Sequence, residues 1–309
     1  GAFNQSDAFP DGKYKYVCFR NPVKNEWQYY RQYGPLYGEN SAPRRWENTL
    51  SDWFESVGFR RGENEKSTFY HETRDLLVLT YVDDLFMDGD EDDVRWISDI
   101  ISKRFDCKHT EWLTKETPID FLGMMISINS EGGSLSMENY VEQMLSMLEL
   151  TSITPVTTPI DGPIAQGTPT LGSNLRKQFM TAVGSLGWLA VTGRPDIAYA
   201  HSRVAQHMAL PTEAAWVAVT RILKYLKGTS KLSLFAPCEQ DSGNKDSNWA
   251  LYTDSDHGGN DEPQNKLRSH CGFIAMHNGA PVLWGSKVST VSAHANLDEA
   301  HVDLSSAAS

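Results

Sequence analysis

Two adjacent carboxylates, Asp83 and Asp84, end the run Leu76-Leu77-Val78-Leu79-Thr80-Tyr81-Val82, and a second apolar run, Leu85-Phe86-Met87, follows at once. Successive side chains on an extended backbone point to opposite faces. A tight turn is therefore needed if both carboxylates are to converge on one point. Held that close they repel, and a divalent cation between them relieves the repulsion; oxygen donors suit Mg²⁺. Mg²⁺ keeps several waters and shares a few protein carboxylates with substrate phosphates, which suits nucleotidyl transfer. A bare Asp-Asp pair also suits a solvated turn, where Asp is common. The acidic stretch Asp88-Gly89-Asp90-Glu91-Asp92-Asp93 lacks the ligand spacing and closing Glu of an EF-hand. It reads as a loop and the negative first turn of a helix carrying Val94, Ile97, Ile101 and Phe105 on one side.

The elements that position the acid pair follow from periodicity. Leu76–Tyr81 is too short for a typical helix and reads as a buried strand, with the acids at the tip of a hairpin. Ser41 as cap and Pro43 in the first turn start a helix whose Trp46, Leu50, Trp53, Phe54 and Val57 share a face, and Gly58 stops it. Phe121-Leu122-Gly123-Met124-Met125-Ile126 reads as one short strand. Met137 to Leu150 reads as an amphipathic helix, and 151–174 as a Thr/Pro/Gly-rich linker. Helices follow through Phe179–Leu189, Ile197–Met208 and Pro211–Lys227, so periodicity alone makes this middle region α-helical. Trp249–Asp256, Ser269–Ala275 and Pro281–Ser286 read as three strands, with a helix from Asp298 onward.

The chain has 309 residues, 40% of them hydrophobic, enough for two or more domains. Cys18, Cys107, Cys238 and Cys271 show no pairing or zinc spacing and are expected as reduced thiols of an intracellular, non-secreted protein, cytoplasmic or nuclear. No apolar run reaches membrane-spanning length, so no membrane partner is expected. The net charge of −12 argues against a generally basic nucleic-acid surface and leaves room for a local basic groove.

Tyr81-Val82-Asp83-Asp84 resembles the Tyr-x-Asp-Asp motif of reverse transcriptases. Leu36-Tyr37-Gly38, Ala42-Pro43-Arg44 and Trp46 resemble the second polymerase motif of copia-type retrotransposons, with Asn40-Ser41 where that family usually has Lys-Gln. The most specific wording is Val183-Gly184-Ser185-Leu186, Arg194-Pro195-Asp196-Ile197-Ala198-Tyr199-Ala200, Pro211-Thr212-Glu213-Ala214 and Arg221-Ile222-Leu223-Lys224-Tyr225-Leu226-Lys227-Gly228-Thr229. In order, these resemble the copia-type LTR retrotransposon Pol polyprotein, with Gly193 as an apparent insertion.

The resemblance implies an α+β, palm-type polymerase fold. Fingers and palm would occupy 1–123, a helical thumb 124–236, and a partial RNase H-like α/β domain 248–309. It implies RNA-directed DNA synthesis with two Mg²⁺ ions, or Mn²⁺, on an RNA template, a DNA primer and dNTPs, beside other parts of the Pol polyprotein. Asp83 and Asp84 would be catalytic and metal-binding, and Asp254 would match the first RNase H metal ligand. Phe3, Tyr81 and Arg44 would face the nucleotide, and Phe121, Leu122 and Gly123 would grip the primer. Arg45, Lys224 and Lys227 would contact nucleic acid. Three of these assignments have plainer alternatives: Phe3 as a core aromatic, Arg44 and Arg45 as a solvated helix start, and Lys224 and Lys227 as a solvated helix end. The first-motif Asp of the family falls upstream of Gly1, and His301 stands where an RNase H Glu is expected. RNase H activity is therefore not expected. These departures keep a second reading open: a non-catalytic remnant acting at most as a nucleic-acid-binding module.

Overall fold

The computed structural model describes residues 5–9, 13–107, 110–238, 248–256 and 268–292. The chain divides into two compact units, residues 1–111 and 112–309.

The first unit opens with β1 (Lys15–Arg20) and β2 (Trp27–Gln32), an antiparallel ribbon that forms its own two-stranded sheet. Helix α1 (Ala42–Ser56) follows, with Pro43 in its first turn and Gly58 just past its end at φ +99°. Ser41 departs from expectation. It occupies the cap position with helical backbone angles, and its side chain makes no capping hydrogen bond. Then come β3 (Arg60–Arg61), β4 (Thr68–His71), β5 (Leu76–Tyr81) and β6 (Asp84–Asp88), an antiparallel sheet in chain order, and α2 (Glu91–Arg104). The acids Glu91, Asp92 and Asp93 do form the first turn of α2, where they complement the helix dipole.

Alternation along β5 decides which sheet face is covered. Leu76 and Val78 are fully buried, and their partners His71 and Phe69 share their face. Phe54 of α1 stacks on Phe69 at 4.7 Å, and Trp96 of α2 meets His71 edge-on at 5.7 Å. Both helices therefore pack on one side. Leu77, Leu79 and Tyr81 belong to the other side, together with Asp84, the partner of Tyr81.

In the second unit, β7 (Ile119–Phe121), β8 (Met124–Ile128) and β9 (Gly132–Ser136) precede α3 (Glu138–Met147). Phe121 to Ile126 is therefore two strands and a turn, not one strand. Leu122 (φ +56°) and Gly123 (φ +78°) both adopt left-handed backbone, as a type I′ hairpin turn demands. Residues 151–172 hold no helix or strand beyond the Thr170–Thr212 bridge. Next come α4 (Ser173–Thr192), a 3₁₀ turn at Pro195–Ile197, α5 (Ala198–Ala205), α6 (Glu213–Gly228) and β10 (Ser233–Pro237). Strand β10 pairs with β9, giving a four-stranded antiparallel sheet of order β10-β9-β8-β7. The middle of the chain is thus not helical throughout. The short strands β8 and β9 carry too few residues for a period-2 signal to stand out.

The helices bury Val141, Phe179, Leu186, Leu189, Val219 and Leu223 in one core. Gly193, the apparent insertion, closes α4 where a Cβ would stand 2.7 Å from Met137 Cγ, so only glycine lets the helix end approach this closely. Arg194 is 1% exposed. It makes a two-pronged pair with Asp196 (Nε–Oδ1 2.9 Å, Nη2–Oδ2 2.8 Å) and donates to the Thr229 carbonyl and hydroxyl at the end of α6. The Arg194-Pro195-Asp196 wording therefore does structural work by joining the end of α4 to the end of α6. The chain then forms β11 (Trp249–Ser255), β12 (Arg268–His277) and β13 (Ala280–Ser292), an antiparallel three-stranded sheet. The helix expected from Asp298 and the position of His301 lie outside the described residues.

Candidate active site

The acid pair sits where strand alternation breaks. Tyr81 pairs with Asp84, which leaves Val82 and Asp83 as a two-residue turn. Val82 has φ +55°. A positive φ at the first turn position fits a hairpin of type II′, where glycine is the usual residue. A β-branched side chain there is strained and needs surrounding structure to hold it. One such restraint is visible: the indole N–H of Trp46 donates to the Val82 carbonyl. Trp46 itself is buried against Phe105, ring centroids 5.3 Å apart. The helix that resembles the second polymerase motif is thereby tied to the turn of the third.

Asp83, Asp84 and Tyr81 are all exposed. Two exposed carboxylates with room for water fit Mg²⁺, which takes one or two carboxylates and completes its shell with water and substrate oxygens. Among the described residues no group of three or more His, Cys, Asp or Glu side chains could hold a metal ion.

The other expected site residues disperse. Phe3 lies outside the described residues. Arg44 is exposed on α1, whereas Arg45 is half-buried with its guanidinium 4.7 Å above the Phe9 ring. Phe121, Leu122 and Gly123 form the β7–β8 turn of the second unit, where the Gly123 N–H donates to Asp120 Oδ1 at 3.0 Å. Lys224 is half-buried on α6, and the Lys227 ammonium donates to the Thr151 carbonyl, which fastens the linker to the helix.

Asp254 is exposed on β11 opposite Gly272. It lines a cavity of about 560 Å³ between the three-stranded sheet and the Pro195–Tyr199 segment, together with Asp256, His270 and Tyr199. His270 is 6% exposed. Its backbone N–H donates to Asp256 Oδ1 at 2.6 Å, its Nε2 lies 2.9 Å from Ser286 Oγ, and its ring meets Tyr199 edge-on at 4.8 Å. Burial depresses its pKa to about 4; Asp256 opposes the shift and Arg203 adds to it.

The β1–β2 ribbon was not singled out by motif. Its signal was the strict alternation Trp27-x-Tyr29-x-Arg31-x-Tyr33, answered by Tyr14-x-Tyr16. That period-2 pattern puts aromatic and basic side chains on one face.

Residues 14–162 match the family described as reverse transcriptase (RNA-dependent DNA polymerase). The chain is 32% identical over 257 residues to the retrovirus-related Pol polyprotein from transposon RE1 of Arabidopsis thaliana, covering 82% of the chain and 16% of that protein. It is 30% identical over 259 residues to that from transposon RE2 of the same plant, covering 82% of the chain and 17% of the relative. It is also 28% identical to the putative transposon Ty5-1 protein YCL074W of Saccharomyces cerevisiae, over 88% of the chain and 84% of that protein. The chain spans about a sixth of the length of the two plant polyproteins (16% and 17%). Among the described residues no helix is long and apolar enough to cross a membrane. By these matches the chain is a homologue of the Pol polyproteins of copia-type transposons, with a reverse transcriptase match over residues 14–162.

Proposed function

We propose that this chain is the reverse transcriptase region of such a polyprotein, that Asp83 and Asp84 are its metal-binding carboxylates, and that its substrates are an RNA template, a DNA primer and dNTPs. The observation that carries this reading is the Tyr81–Asp84 hairpin, whose strained turn presents both acids to solvent while Trp46 holds it from behind. Bound Mg²⁺, or Mn²⁺, would supply charge neutralisation for the phosphates and activation of the primer hydroxyl. The chain's own part is positional. Tyr81 lies on the same sheet face as Asp84, where the resemblance would put a primer end, and Arg44 is an exposed cation that would meet a phosphate. By the same resemblance the β7–β8 turn would be the primer grip, the helices the thumb, and Asp254 the first carboxylate of an RNase H-like sheet. A second reading, a non-catalytic remnant, rests on one observation: Asn40-Ser41 stand where the family usually has Lys-Gln, which removes a charge and an amide near the nucleotide.

Primer extension on an RNA template, with the first catalytic motif supplied upstream of Gly1, separates the two. The polymerase reading expects Mg²⁺-dependent synthesis that Asp83→Asn abolishes. A folded protein inert with both Mg²⁺ and Mn²⁺ establishes the remnant.

A further inference from the structure

The β1–β2 ribbon is unlike the rest of the surface. Residues 13–33 carry five basic residues (Lys13, Lys15, Arg20, Lys24, Arg31) and one acid (Glu26), in a chain whose net charge is −12. Register places Tyr16 opposite Arg31, Cys18 opposite Tyr29, and Arg20 opposite Trp27, so these six share one face. Tyr29 is 71% exposed, Tyr16 65% and Trp27 59%. Among the described residues of the two strands, no carboxylate stands on this face. Tyr14 and Tyr33 extend it, with the Arg31 guanidinium 4.9 Å above the Tyr14 ring. Hydrogen bonds to Tyr33, then Tyr16, raise the Arg31 pKa further above its ordinary value; the guanidinium is charged at working pH in any case.

A water-exposed row of aromatic rings is unfavourable unless something covers it, and its flat faces match flat partners. Same-face residues on a strand recur about every 6.8 Å, roughly twice the 3.4 Å step between stacked bases. Positive charge interleaved with such rings matches a polyanion that carries exposed π faces. Only unpaired nucleotides combine both features, since duplex bases keep their faces to each other.

We propose that the Tyr16–Arg20 and Trp27–Arg31 face of this ribbon is a stacking platform for single-stranded nucleic acid. Unpaired bases lie against Tyr16, Trp27 and Tyr29, and Arg20 and Arg31 pair with phosphates. The platform rests on the ribbon's own chemistry and not on the polymerase site.

The test is fluorescence anisotropy of the whole chain with labelled oligo-dT and oligo-rU strands of about 12 nucleotides. It is run in EDTA, so that the standing of the Asp83–Asp84 site does not enter. The expected result is binding to single strands in preference to a duplex of equal length. Each of Tyr16→Ser, Trp27→Ser and Tyr29→Ser should weaken it by about tenfold, and Tyr29→Phe should restore parental affinity. Arg20→Gln with Arg31→Gln should make the salt dependence shallower by about 1.4 in log–log slope, as expected for two lost phosphate contacts. These residues are exposed, so an unchanged denaturation midpoint verifies folding; the Tyr29→Phe comparison holds even if a serine variant unfolds. The proposal is overturned by absent binding, by equal binding of duplex, or by ribbon variants that bind like the parent. It is equally overturned if those variants change only the oligomeric state, which would make the face a protein contact.

Discussion

The indole N–H of Trp46 donates to the backbone carbonyl of Val82, thirty-six positions along the chain. This one bond joins α1 to the turn that carries Asp83. Trp46→Phe keeps the buried ring and removes the donor. We expect a loss of about 1 kcal/mol in global stability, with faster hydrogen exchange confined to the Val82–Asp84 amides. Uniform protection across the hairpin in that variant would show that the bond does not hold the turn.

Val82 sits at φ +55°, where a β-branched residue is strained. Val82→Gly relieves the strain and loses some unfolded-state restriction. The balance is an expected gain of about 1 kcal/mol. Urea titration checks this through a higher midpoint at unchanged slope, and a lower midpoint would refute it.

Arg194 and Asp196 form the buried pair between the ends of α4 and α6. Arg194→Met leaves a carboxylate without its cation and should cost about 3–5 kcal/mol. Burial pushes the Asp196 pKa up, but hydrogen bonds and charge from Arg194, with help from the Tyr225 hydroxyl, outweigh it and hold the carboxyl below its usual range. A carboxyl depressed in the folded state adds stability that is full above its unfolded pKa and disappears as pH falls through the folded one. Denaturation midpoints should therefore drop on the acid side in the parent and show less of that drop in Asp196→Asn.

His270 predicts a second pH dependence, at higher pH. Its folded pKa is about 4 against an ordinary 6.5, because burial disfavours the imidazolium. Between those values the unfolded chain binds a proton that the folded chain refuses, so stability rises with pH across the window. The rise is on the order of 3 kcal/mol. His270→Gln should flatten it in stability curves collected from pH 4 to 7. A slope that survives the substitution assigns it to another group.

The hairpin that carries the acid pair was legible because its signals are local. The acid pair follows an apolar strand and precedes another, and only a turn fits between them. The first turn of α2 was legible from three acids in a row. The hairpin at Leu122-Gly123 was misread because a leucine rarely adopts the left-handed backbone that the turn requires. The basic end of α6 was ambiguous for a different reason: a lysine looks the same in sequence whether it meets phosphate or a carbonyl of its own chain.

By itself the sequence determined the acid-pair hairpin, the helix faces and the resemblance to copia-type Pol polyproteins, because each depends on neighbours in the chain or on ordered motifs. Tertiary structure alone decided that Lys227 holds Thr151, that Arg194 is buried against Asp196 and Thr229, and that Trp46 reaches Val82. Those outcomes depend on which distant backbone group arrives beside a side chain. Packing sets that, and no local period records it.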